Sequence, residues 1–97
     1  MAPTTAGIRS LRPQIEEIAG KFGVSRIRLF GSVVRGTAKE GSDVEMLVRF
    51  DSGRTLLDLV GFQQEVGELL GARVDVLSER AIHPLLAPAI LGKVSPL

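Results

Sequence analysis

The sequence predicts an α/β domain built around a small β-sheet, and three observations lead there. Apolar residues recur at helical spacing in two long segments, Ile8 to Phe22 and Leu56 to Leu70. Three short segments alternate instead with the period of a strand: Arg26–Phe30, Asp43–Phe50 and Arg73–Leu77. Glycines follow most of these segments, at Gly23, Gly31, Gly36 and Gly71, where chain reversals or helix ends are expected. The resulting order is αβ(α)βαβα.

Each element has its own justification. Ile8, Leu11, Ile15, Ile18, Ala19 and Phe22 form one stripe, so the first segment reads as an amphipathic helix ending near Gly23. Pro13 leaves its start open. With Ser10 as N-cap, Pro13 falls harmlessly in the first turn; with a start near Thr5, the helix kinks at Pro13. Gly31-Ser32 ends the first strand, and Ser32 to Arg35 makes a brief helical turn stopped by Gly36. After Asp51-Ser52-Gly53, Thr55 with Asp58 three residues later has the form of a capping box, and Gly71 closes the long helix. Ile82 to Leu91 is expected as a last short helix, disturbed by Pro84 and Pro88.

Ninety-seven residues, 44% hydrophobic and 24% charged, suit one folded domain with a modest core, residues 1–97. Twelve basic against eleven acidic residues leave a formal charge of +1. That is too small a basic excess to make nucleic acid an expected partner. The absence of cysteine excludes disulfides and thiolate zinc sites. No apolar run approaches the roughly 18 residues of a membrane span, and the N-terminal segment lacks the regions of a signal peptide, so a cytoplasmic location without membrane association is expected.

Strand alternation sorts the side chains into two sets. Ile27, Leu29, Val44, Met46, Val48, Phe50, Val74 and Val76 make an apolar face that helices must cover. Arg26, Arg28, Asp43, Glu45, Arg49, Arg73 and Asp75 share the other, uncovered face. A polar solvated face needs no function by itself. Three features argue for one here. Asp43 and Glu45 stand at the head of their strand, just after Gly41-Ser42; Asp75 adds a third acid from another strand; and Gly31-Ser32 leads into a helix start, whose free N–H groups and hydroxyl suit a phosphate.

Two carboxylates about 4 Å apart repel by about 4 kcal/mol at an effective dielectric near 20. Three converging acids therefore call for protons, basic partners or a divalent cation. Oxygen ligands without His or Cys suit Mg²⁺ or Mn²⁺, which bring nucleotide phosphates with them. Arg35, one helical turn after Ser32, is within reach of such a phosphate, and Arg28 is expected as a counter-charge to the acids. His83, the only histidine, is expected at a helix start or the surface. The helix from Leu56 to Leu70 has more apolar positions than one stripe requires, and the surplus is expected to form a surface for a partner or a second copy of the chain.

Gly31-Ser32, ten intervening residues, Asp43-x-Glu45 and the later Asp75 together resemble the DNA polymerase β-like nucleotidyltransferase superfamily, and within it the minimal nucleotidyltransferase (MNT) branch. Arg35-Gly36, Ser42-Asp43, "GRTLLDL" (53–59) and "RVDVL" (73–77) also match, so the resemblance spans nearly the whole chain. It implies a mixed sheet backed by helices on one face and transfer of a nucleoside monophosphate from an NTP. By position, Asp43, Glu45 and Asp75 would be the catalytic acids and the ligands of Mg²⁺ or Mn²⁺, with Asp75 helping to activate the acceptor hydroxyl; Gly31 and Ser32 would hold the triphosphate of ATP. The resemblance further implies a HEPN-domain ribonuclease toxin as partner and an antitoxin role, exercised by attaching AMP to a tyrosine of that toxin. A chain of this size has no dedicated acceptor domain, so the partner is expected to supply the acceptor. One residue departs from the pattern. Glu45 stands where the family has Asp, and its extra methylene moves the carboxylate by about 1 to 1.5 Å, where a misplacement near 1 Å costs roughly 10²-fold in rate. Two other expectations follow from that departure or from the fold alone: a weakened or inactive relative that neutralises a toxin by binding, and transfer to a small molecule or an RNA end.

Overall fold

The computed structural model describes residues 2–81 and 94–97. The helix expected over 82–91, and His83 within it, lie outside the described residues. The elements run α1 (Thr5–Arg9), α2 (Arg12–Phe22), β1 (Val24–Phe30), α3 (Ser32–Arg35), β2 (Val44–Phe50), α4 (Leu56–Leu70), β3 (Val74–Ser78), a 3-10 turn (Glu79–Ala81) and β4 (Ser95–Pro96).

The N-terminal helix is two helices: the start near Thr5 is used, but the second begins after Leu11 and is not capped by Ser10. Thr4 caps α1 by accepting a hydrogen bond from the Gly7 amide at 3.0 Å. The Ser10 hydroxyl, instead of capping a second helix, donates to the Gly7 carbonyl. Leu11 precedes α2 without a side-chain cap, and Pro13 sits in its first turn. A continuous helix would set the Pro13 ring against the Arg9 carbonyl and lack one hydrogen bond, so the chain breaks at Ser10-Leu11. Gly23, at φ 68°, ends α2 in a left-handed cap.

The sheet has the order β3-β2-β1-β4. It is mixed: β1 runs antiparallel to β2 and to β4, whereas β2 and β3 are parallel and joined through α4 as a crossover. A bulge interrupts β1. Val24 pairs with Phe50 and Ser25 with Arg49, but the next pairing is Arg28 with Leu47, so Arg26 and Ile27 together oppose one residue. Arg26 takes up the irregularity at φ 51°. Because of the extra residue, Val24 and Leu29 can both face the core despite their opposite parity.

The core lies on one side of the sheet. Ile8, Ile15, Ala19, Val33, Phe62 and Val66 from the four helices pack on Leu29, Val44, Met46, Val48 and Val74. The Thr55 capping box forms as expected: the Thr55 amide donates to Asp58 at 2.8 Å, and Thr55 accepts from the Leu57 amide at 3.2 Å. Gly71 caps the other end at φ 64°. The surplus apolar residues of α4 are on its outside, with Leu56 and Leu57 largely exposed and Val60 about half exposed. None of the described helices is long and apolar enough to cross a membrane.

Two further features were not expected from the sequence. β4 adds two residues to the outer edge of β1, opposite Arg28 and Leu29, held by Arg9, which donates to the Pro96 carbonyl at 2.8 Å. Proline is tolerated there because an edge strand needs no donor on its outer side. Leu47 is fully buried although it belongs to the face opposite the core. That face is therefore not uniformly open.

Candidate active site

The candidate site lies at one end of the face that the helices leave free. β2 is central, with Glu45 aligned to Phe30 of β1 on one side and to Asp75 of β3 on the other. Adjacent strands are about 4.8 Å apart, so register alone makes Glu45 and Asp75 neighbours on a common face. Asp43 comes two residues before Glu45, where the Val44 amide donates to the Arg73 carbonyl at 2.8 Å and fixes the start of the parallel pairing. The turn ahead of it is closed twice, by the Ser42 amide to the Lys39 carbonyl (2.9 Å) and the Lys39 amide to the Ser42 hydroxyl (2.8 Å). Asp43 and Glu45 are half-buried and Asp75 is exposed.

Gly31 joins this row to α3. Its φ of 77° and ψ of −150° are a conformation open to glycine alone. Space dictates the same residue. A Cβ on Gly31 would lie 1.5 Å from Oε2 of Glu45. The Glu45 carboxylate thus rests against the Gly31 backbone, on the β1 side of its strand and away from Asp75. The next three amides, of Ser32, Val33 and Val34, open α3 without intrahelical partners or a side-chain cap, and the first helical bond is from the Arg35 amide to the Gly31 carbonyl at 3.1 Å. Ser32 is half-buried; Arg35 lies in the last turn, exposed, its guanidinium without a hydrogen bond or ion pair among the described residues.

The structure therefore brings Gly31, Ser32, Glu45 and Asp75 to one end of the sheet, with Asp43 beside them. As placed, the three acids do not close into a ligand cluster: among the described residues no three His, Cys, Asp or Glu side chains stand close enough to hold one ion. The donor set still fits a hard divalent cation, since it consists of carboxylate oxygens from adjacent strands. A cavity of about 390 Å³ lies elsewhere, between α2, β1 and Leu97, and includes none of the candidate residues.

Arg28 differs from expectation. Its guanidinium pairs with Glu79 of the 3-10 turn rather than with the strand acids, and its Nε donates to the Arg26 carbonyl at 3.1 Å. Sequence reasoning missed Glu79. Its one signal was an acid placed directly after the third strand.

The family model for the nucleotidyltransferase domain matches residues 8–94. The chain belongs to the nucleotidyltransferase domain family. Within that family it falls in the minimal branch, and its activity class is nucleotidyl transfer. A Methanocaldococcus jannaschii protein named as a candidate protein adenylyltransferase is 45% identical over 86 residues, covering 89% of this chain and 92% of its own. The protein adenylyltransferase MntA of Thermococcus cleftensis is 39% identical over 79 residues, or 81% of this chain and 80% of that protein. A solved structure described as a candidate minimal nucleotidyltransferase superposes with a TM-score of 0.77 at 42% identity, over 93% of this chain and 95% of that one. The fold also occurs in a complex of a tri-AMPylated Shewanella oneidensis HEPN toxin with its MNT antitoxin, with a TM-score of 0.67 and 15% identity over 92% of this chain and 70% of that one. At that identity the likeness concerns the fold alone.

Proposed function

We propose that this nucleotidyltransferase transfers AMP from ATP to a hydroxyl group of a partner protein, a tyrosine of a HEPN-domain toxin, and so acts as the toxin's antitoxin in the cytoplasm. The observation that carries the reading is the alignment of Glu45 with Asp75 next to the Gly31-Ser32 turn. Relatives named protein adenylyltransferases and the HEPN complex of like fold support it.

In this reading the Ser32 hydroxyl and the unpartnered amides at the start of α3 hold the triphosphate, and Arg35, at the end of the same turn, would reach a phosphate. Asp43, Glu45 and Asp75 would hold Mg²⁺ or Mn²⁺, which when bound neutralises phosphate charge and polarises the reacting oxygens. Asp75, exposed on β3, helps to activate the incoming hydroxyl. The hydroxyl oxygen bonds to the α-phosphorus as the bond to the bridging oxygen breaks, and pyrophosphate leaves. Glu45 must swing from Gly31 toward Asp75 before all three acids can act together, and that rearrangement makes transfer slower than with the shorter Asp.

The test is transfer of label from α-labelled ATP to the purified toxin. Label should appear on the toxin with this chain and be lost with Asp75→Asn. A toxin inhibited by the wild-type chain but left unlabelled would mean that binding alone, not transfer, is the mode of action.

A further inference from the structure

Arg28 poses a problem for a cation site. Its Cα partner across the sheet is Leu47, and the next aligned pair on the same face is Phe30 with Glu45. Arg28 and Glu45 are thus diagonal neighbours on one face, a separation of about 7 to 8 Å that long side chains span. A guanidinium so placed would pair with Glu45 and occupy the position a cation needs. It does not do so. Arg28 reaches instead over the fully buried Leu47, across β2, to Glu79 just beyond the end of β3. Arg26 also approaches Glu79, at 3.9 Å. The Arg28–Glu79 pair has side-chain exposures of 13% and 24%, the lowest combination among the described ion pairs, so it is the one least weakened by solvent.

We propose that Glu79 is a positioning residue for the candidate site: by engaging Arg28 it keeps that guanidinium off Glu45 and leaves the carboxylate row free to take a divalent cation. The inference rests on the metal-site reading above and adds a residue that contacts neither the cation nor the nucleotide. Glu79 acts only through Arg28, which separates it from a residue that merely stabilises the fold.

The experiment is Mn²⁺ binding to the whole protein, followed by the loss of the free-ion paramagnetic resonance signal, with melting temperatures measured alongside. Glu79→Gln keeps the side-chain volume while removing the charge. It should weaken Mn²⁺ binding by about 10-fold, the lower end for residues that act behind metal ligands. Removing the competitor as well, in Glu79→Gln with Arg28→Met, should restore wild-type affinity. Two results would overturn the proposal: Glu79→Gln binding as tightly as wild type, or a double variant that stays as weak as Glu79→Gln. Failure of the underlying site has a different signature, namely wild-type protein that binds no Mn²⁺, or binds it with an affinity that Asp43→Asn leaves unchanged.

Discussion

On one face of the sheet Leu29, Met46 and Val48 are completely buried beneath the helices, while on the other Glu45 and Asp75 remain in contact with solvent. The central strand β2 supplies both, with Glu45 and Met46 one residue apart. The apolar face is secured by burial, which is non-directional and tolerates exchange of one hydrophobic shape for a similar one. The acid face depends on register: Glu45 is aligned with Asp75 only because β2 and β3 pair in parallel with Val44 opposite Val74. Stability and activity should therefore respond to different substitutions in adjacent residues.

The largest effect should come from the core. Leu29→Ala should cost about 2–5 kcal/mol in denaturant unfolding, while AMP transfer per folded molecule stays near wild type. Gly31→Ala should break the separation, because Gly31 belongs to both the end of a strand and the candidate site. Its backbone conformation should cost about 1–3 kcal/mol with any side chain. The new Cβ would also displace the Glu45 carboxylate, so both unfolding and ATP titration should register the change. Glu45→Asp should sharpen the distinction by raising AMP transfer about 10-fold, equal to about 1.4 kcal/mol of transition-state stabilisation, with no matching change in melting temperature. A fall in transfer would mean that the site has adapted to glutamate.

The smallest effect should be at the helix start that supports the apolar face. Thr55→Ala should cost about 1 kcal/mol of stability and leave the activity of folded protein unchanged. This cap also has a pH signature. The hydrogen bond from the Thr55 amide, followed by the nearby Arg54, lowers the pKa of Asp58. A carboxyl lowered in the folded state adds stability above its unfolded value near about 4 and loses it as pH falls through the folded value. Thermal melts of wild type and Asp58→Asn should accordingly differ near neutral pH and converge in acid.

Much of this arrangement was legible in the residues. The alternation of Val44 to Phe50, the Thr55–Asp58 cap and Gly71 set out β2 and α4 because each is a local signal. The candidate site was marked for another reason: Gly31-Ser32 and the three acids form a pattern of residue types that suits a phosphate and a hard cation. Long-range features were hidden. Arg28 and Glu79 are 51 residues apart, and nothing local pairs them. The bulge at Arg26 left no mark because arginine has no preference for positive φ, and β4 is two residues long with a proline in it. The break at Ser10-Leu11 was half visible, since Pro13 left two starts open, one near Thr5 and one at Ser10. The lean of Glu45 toward Gly31 is a side-chain choice that alternation does not encode.

The claim that the acid face is a metal-nucleotide site is tested most directly by calorimetric titration of Mg²⁺ and ATP into wild type and Asp43→Asn. Wild type should bind, and the variant should bind at least about 10-fold more weakly, a loss of about 1.4 kcal/mol, with an unchanged melting temperature. Equal affinity in the two proteins would contradict the claim and leave Asp43, Glu45 and Asp75 as surface charges on a solvated sheet.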